Sequence, residues 1–83
     1  MPATGRELSY PDFLRLVREE DGRRAVAPLL REWFGCRVTG KGETTRIVDA
    51  KRLAVDMRSL HLRIQDDESK QRSLYQVAMT LWR

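Results

Sequence analysis

The apolar residues of the first third of the chain recur at helical spacing. Ser9 followed by Asp12 is a capping-box pattern, and the apolar positions around it follow the i, i+3, i+4, i+7 rule. These positions are Tyr10, Phe13, Leu14 and Val17. We expect a helix that runs to about Glu20 and stops at the turn signal Asp21-Gly22.

A second helix is predicted from about Arg24 to Phe34. Its apolar stripe consists of Val26, Leu29, Leu30, Trp33 and Phe34. Because Pro28 is tolerated only in a first turn or at a kink, the regular helix is expected to begin nearer Ala27. Gly35 suits the left-handed cap that ends a helix. The two helices together form a predicted helical hairpin.

The next region changes to a pattern typical of strands. Cys36–Thr39 and Thr44–Val48 are rich in β-branched residues, and Gly40–Glu43 between them has turn composition. We therefore predict a short β-hairpin. Its first strand, Cys36–Thr39, has an edge that a strand from a partner would extend if that edge is unpaired.

The same region nearly matches a phosphate-binding P-loop. Gly35, four further residues and Gly40-Lys41 have the required spacing, but Gly42 stands where the motif needs Ser or Thr. A P-loop also follows a strand and opens a helix, whereas here a helix precedes Gly35 and a strand follows Gly42. We expect no nucleotide site.

Residues 49–56 fit two interpretations. The favoured one is a helix capped by Asp49, with Leu53, Met57, Leu60 and Ile64 on one face. The other is a third strand over Arg52–Val55 after an Ala50-Lys51 turn, with Asp56 capping a shorter helix from Met57.

The last helix is predicted over about Glu68 to Trp82. Its apolar face is Leu74, Val77, Ala78, Leu81 and Trp82. The polar residues Asp67 and Gln71 interrupt the apolar spacing and argue against one continuous helix from residue 50 to 82. The predicted fold is thus a single α+β domain over residues 8–83 behind a flexible tail, residues 1–7. An all-α bundle with an extended linker at 36–48 is the alternative.

Composition narrows the function classes. The chain of 83 residues contains no membrane-length apolar run, so we expect a soluble, cytoplasmic protein. One cysteine, Cys36, and one histidine, His61, provide neither a disulfide nor a zinc site of the usual kind. Their spacing gives no reason to expect a catalytic pair. We predict a non-enzymatic protein without catalytic residues, cofactor or metal.

The net charge of +4 invites a nucleic-acid interpretation, but the arginines and lysines are scattered among acids. A more specific hypothesis is a helix-turn-helix-like pair around Asp66. Its second helix would present base-reading side chains: Lys70, Gln71, Arg72 and Gln76. This DNA-binding regulator is the alternative function.

The favoured function is a protein-protein interaction module, a small adaptor or regulatory subunit that binds another protein or a second copy of itself. Trp and Arg are enriched at interface hot spots. The expected contact residues are Trp82, Tyr75, Arg72 and Arg83 on the last helix, with Arg31 and Trp33 on the second. Trp82, one residue from the end of the chain, either docks on the helical hairpin or awaits a partner.

Overall fold

The structure, a computed structural model, describes residues 7–83. In chain order its elements are α1 (Tyr10–Arg18), α2 (Glu20–Phe34), β1 (Arg37–Thr39), a 3-10 turn (Gly42–Thr44), β2 (Arg46–Val48), α3 (Met57–Gln65) and α4 (Glu68–Leu81). The predicted α+β fold, a helical hairpin followed by a β-hairpin and two more helices, is confirmed. The expected tail, residues 1–7, lies outside the described residues except for Glu7, which is exposed.

The boundary between the first two helices differs from the prediction. Ser9 caps α1 as expected, since its hydroxyl accepts the Asp12 N–H at 3.3 Å. The break falls at Glu19, a single residue in extended conformation, and Gly22 lies buried inside α2. A Cβ atom at Gly22 would come within 2.1 Å of the Leu16 carbonyl oxygen. This glycine therefore serves the close approach of two helices and not a turn.

Helix α2 starts earlier than predicted, at Glu20, and continues through Pro28 to Phe34. After the break at Glu19, α2 runs in a new direction, and its residues Val26 and Leu30 are buried. Gly35 ends the helix in the left-handed region, with φ 69° and ψ 20°, and its N–H donates to the Arg31 carbonyl at 2.9 Å. The predicted glycine cap is confirmed.

The sheet is an antiparallel pair in which Val38 faces Ile47. The favoured helix from Asp49 is wrong, because the Asp49 carboxylate instead organises a turn. It accepts the N–H groups of Lys51 and Leu53 at 2.8 and 2.9 Å, and Arg52 adopts a left-handed φ of 65°. Helix α3 then begins at Met57 behind Asp56, the cap given by the second interpretation. The predicted third strand is reduced to one bridge between Val48 and Ala54.

One core joins all four helices and the hairpin. Its buried apolar residues are Leu8, Phe13, Leu16, Val17, Val26, Leu30, Cys36, Ile47, Leu60, Ile64, Leu74 and Ala78. Helices α3 and α4 are joined by Asp66 and Asp67, and Asp67 caps α4 by accepting the Ser69 and Lys70 N–H groups. The short polar joint predicted between them is therefore present.

Candidate functional site

An open groove of about 780 Å³ lies between α2 and β1. We call it the basic groove. Its lining residues are Glu20, Arg23, Arg24, Ala27, Pro28, Arg31, Glu32, Cys36, Arg37 and Val38. Four arginines and two glutamates thus surround a small apolar floor.

The periodicity of α2 places its part of the lining. Glu20, Arg24, Pro28 and Arg31 are three or four residues apart and so share one helix face. The core-facing stripe, which includes Val26 and Leu30, lies on a different face of the same helix. The Gly35 turn then brings β1 back alongside α2, so Arg37 joins the α2 arginines although it lies outside that helix.

Two of the four arginines are already engaged. The Arg24 guanidinium forms an exposed ion pair with Glu20 at 2.9 Å, and Arg23 donates to the Gly40 carbonyl oxygen at 3.3 Å. Within residues 7–83, Arg31 and Arg37 take part in none of the four ion pairs. Their guanidinium groups are therefore the ones available to an anionic ligand.

Cys36 lies at the floor of the groove and is 3% exposed. Burial raises the pKa of its thiol, an effect that the Asp49 charge reinforces and that nearby Arg63 opposes. The side chain is therefore a neutral thiol at physiological pH, a poor nucleophile.

His61, the other residue of the pair considered from sequence, holds the start of α1. Its buried Nε2–H donates to the Leu8 carbonyl oxygen at 2.8 Å, and its ring packs against Phe13 at 5.4 Å. Cys36 and His61 share no hydrogen bond in the described part of the chain. The imidazole acts as a tether between α3 and the N-terminal segment.

Trp82, the leading predicted contact residue, is docked on the end of α1. Its indole N–H donates to the Glu19 carboxylate at 3.1 Å, and the Arg15 guanidinium lies 4.0 Å from the ring centre. The Arg15 hydrogen bond, followed by that from Trp82, lowers the pKa of the Glu19 carboxyl. Of the two alternatives for Trp82, docking on the helical hairpin is the one that the structure contains.

The structure separates the remaining predicted contact residues. Trp33 packs edge-on against Phe34, with ring centres 6.4 Å apart, and is half-buried, as is Tyr75. Arg72 and Arg83 are exposed on the outer side and end of α4. Arg31 lines the basic groove.

The four residues predicted to read DNA do not form one surface. Lys70 pairs with Asp67 at 2.6 Å and lies over the rings of Trp33 and Phe34, at 5.8 and 5.9 Å. Half-buried Gln71 lines a small cavity beside Leu8 and His61. Arg72 and Gln76 are exposed, and the Arg72 guanidinium is paired with Glu68 at 2.7 Å.

A second groove, of about 380 Å³, runs along another face of α2 against α4. We call it the neutral groove. Its lining residues are Ala25, Leu29, Ser73, Gln76, Val77, Thr80 and Leu81, and the set contains no charged side chain. Leu81 is 39% exposed, so apolar surface is open to solvent there.

Arg23, Arg24 and Arg37 are groove residues that the sequence prediction missed. The available signal was a row of charged residues on α2 that alternates with the core stripe, beside a strand beginning with Arg37. A scattered-charge interpretation hides this signal, because Arg37 joins the α2 row only when the Gly35 turn folds β1 back.

The chain matches no protein-family model, and comparisons with curated proteins and with solved structures find no significant match. Within residues 7–83, no helix has the length and apolar character needed to cross a membrane. In the same range, no three His, Cys, Asp or Glu side chains are grouped closely enough to hold a metal ion.

Proposed function

We propose that this protein is a non-enzymatic interaction module, a small adaptor or regulatory subunit, that binds an acidic segment of another protein in the basic groove. One observation carries the proposal: Arg31 and Arg37 line the groove and take part in no ion pair among the described residues. Arginine is favoured at interface hot spots, and charge complementarity raises association rates and selects partners.

The groove lining favours a peptide over a nucleic acid. Single-stranded nucleic acids bind on aromatic side chains that stack with bases, and the ten groove residues include no aromatic ring. A continuous phosphate backbone would also bring negative charges next to Glu20 and Glu32 at the groove, whereas the charges of a peptide can be spaced to avoid them. A peptide can place its few carboxylates opposite Arg31 and Arg37 and its apolar side chains over Ala27 and Pro28.

The neutral, buried thiol of Cys36 and the engaged imidazole of His61 support the non-enzymatic part of the proposal. We place the action of the protein in the cytoplasm, where a single cysteine stays reduced. The partner is another protein; a second copy of this chain is the alternative that sedimentation of the protein alone would reveal.

The test measures binding of a fluorescent eight-residue peptide of alternating Glu and Val by anisotropy. The double variant Arg31→Glu with Arg37→Glu should weaken binding by at least about 10-fold, because it replaces attraction with repulsion in the groove. The matched control is Arg72→Glu with Arg83→Glu, which makes the same change of charge on α4. This control should stay within about twofold of the original protein at about 0.15 M salt, where distant surface charges are screened.

Equal losses in the two double variants would mean that net charge alone attracts the peptide. A loss confined to the α4 variant would move the contact surface to Arg72 and Arg83, as the sequence predicted. Duplex DNA of mixed sequence tests the alternative function. Binding to it that falls by orders of magnitude between about 50 and 200 mM salt, and that Arg72→Glu weakens, would favour a DNA-binding regulator.

A further inference from the structure

The outer edge of β1 carries unpaired backbone groups. Ile47 faces Val38 across the hairpin, and the Ile47 carbonyl accepts the Val55 N–H at 2.8 Å on the far side of β2. The backbone of Ile47 therefore points away from β1. Residues of an antiparallel pair alternate between bonded and non-bonded partners, so Val38 and Ile47 form a non-bonded pair. The N–H and C=O of Val38 consequently point to the outer edge.

The hairpin is thus closed on one side and open on the other. The outer side of β2 is occupied by the segment that contributes Ala54 and Val55. On the outer side of β1, no backbone group within residues 7–83 pairs with Val38. An open edge of this kind is where an extended peptide adds to a sheet.

The basic groove runs along this edge. Side chains of adjacent strand residues point to opposite faces of a sheet, yet Arg37 and Val38 of β1 both line the groove. A groove that touches both of these residues meets the strand at its edge. Two hydrogen bonds also link α2 to this part of the chain: the Cys36 N–H donates to the Leu30 carbonyl at 3.3 Å, and the Arg23 guanidinium donates to the Gly40 carbonyl at 3.3 Å.

The α2 wall contributes apolar surface. Pro28 lines the groove, and its ring offers a ligand apolar contact without a backbone N–H. The unpaired backbone groups of the groove therefore lie on the β1 wall. Arg31 and Arg37 lie beside them, and together these features suit an extended chain with carboxylate side chains.

We propose that an extended acidic segment of a partner protein adds to β1 as a third strand, between β1 and the arginines of α2. This inference rests on the proposed function and specifies how the same groove holds its partner. The bound segment exchanges two hydrogen bonds with Val38. Its alternate side chains place carboxylates at Arg31 and Arg37 and leave the intervening side chains over the apolar floor.

The test compares two modified forms of the eight-residue peptide of alternating Glu and Val. In one form every Glu carries an N-methyl group, and in the other every Val does. The N–H groups of alternate residues point to opposite edges of a strand, so only one form can still pair with β1. We expect one form to bind at least about 10-fold more weakly than the other, since it loses a hydrogen bond and places methyl groups against the edge.

Amide exchange of the protein gives a second readout. At saturating unmodified peptide, the Val38 N–H should exchange at least about 10-fold more slowly, because it gains an acceptor. Arg37, whose N–H already faces β2, is the internal control and should change little.

Equal affinities of the two methylated peptides, or an unchanged Val38 exchange rate in the complex, would overturn strand addition. If the Arg31→Glu, Arg37→Glu variant still weakened binding, the proposed function would stand with a different binding mode. If that variant had no effect on the unmodified peptide, the proposed function itself would fail.

Discussion

Helix α2 separates two grooves that differ in charge, size and construction. The basic groove on its β1 side holds about 780 Å³ and is surrounded by four arginines and two glutamates. The neutral groove on its α4 side holds about 380 Å³ and is lined by uncharged side chains such as Leu29 and Leu81. One wall is shared, so the difference comes from what packs against α2 on each side.

The element that faces α2 in each groove explains the difference between the two grooves. Helix α4 satisfies its own backbone hydrogen bonds, so the neutral groove offers a ligand side chains only, apolar ones together with the polar groups of Ser73, Gln76 and Thr80. Strand β1 has one free edge, so the basic groove also offers backbone groups. A ligand of the basic groove therefore gains charge pairing and hydrogen bonds, which select a partner more sharply than apolar contact alone.

The largest expected effect comes from a substitution that displaces α2, the helix that both grooves share. Gly22→Ala would place a Cβ atom 2.1 Å from the Leu16 carbonyl oxygen and push α2 away from α1. We expect the free energy of unfolding to fall by about 3 kcal/mol or more, measured by urea denaturation followed by circular dichroism. Both grooves should lose their shape together.

Gly35→Ala is the control, because nothing lies within 4 Å of a Cβ atom there and only its φ of 69° is unfavourable. Its cost should be about 1 to 2 kcal/mol. Helix propensity by itself would make Gly22→Ala stabilising by about 1 kcal/mol. A gain in stability would therefore refute the close contact between α2 and α1.

The second prediction separates the two sides of α2 by the sign of the stability change. Pro28→Ala should raise the free energy of unfolding by about 1 to 3 kcal/mol, because it supplies an N–H to the Arg24 carbonyl and a better helix former. The same change should weaken binding of the Glu–Val peptide, since the proline ring is part of the apolar floor of the basic groove. Denaturation and anisotropy measure the two effects on one variant.

Leu29→Ala provides the matched substitution on the neutral side. It removes half-buried apolar surface and should lower stability by about 1 to 2 kcal/mol, with the peptide affinity unchanged. If Pro28→Ala stabilised the protein without weakening the peptide, Pro28 would have no part in binding. If Leu29→Ala weakened the peptide as much, the two grooves would not be independent.

Local sequence signals predicted the parts of this fold that depend on local chemistry. These parts include the Ser9 cap of α1, the Gly35 cap of α2 and the apolar stripe of α4. Each depends on residues that are close together in the sequence. The break at Glu19 carries no such signal, because the need for Gly22 arises from a carbonyl group of the preceding helix. Asp49 also had two local roles available, as a helix cap or as the centre of a turn. Pairing of Val48 with Ala54 accompanies the turn.

The candidate site was harder to predict for the same reason. Arg31 was named from its residue type, but Arg37 joins it and the other α2 arginines only through the Gly35 turn. For Trp82 the sequence left two alternatives, docking on the helical hairpin or waiting for a partner, and the structure provides it with a hydrogen bond and a cation over its ring. Charge and residue type locate candidates, whereas pairing with distant residues decides which of them are free.

The smallest expected effect is a change of Trp82 fluorescence with pH, at the end of α4 that adjoins the neutral groove. The pKa of Glu19 is lowered in the folded protein, so its contribution to stability is present above its unfolded pKa and is lost as the pH falls through the folded one. Protonation weakens the contact with the Trp82 indole, which adjoins Leu81 at the end of the neutral groove. In a Trp33→Phe background, Trp82 fluorescence should change with a midpoint below about 4.3, the ordinary pKa of glutamate.

Glu19→Gln keeps an acceptor for the indole but removes the titrating group, so the fluorescence transition should vanish in that variant. Circular dichroism over the same pH range shows whether the helices remain folded while Trp82 responds. A midpoint at or above the ordinary glutamate value, or a transition that survives in Glu19→Gln, would assign the response to another carboxyl group.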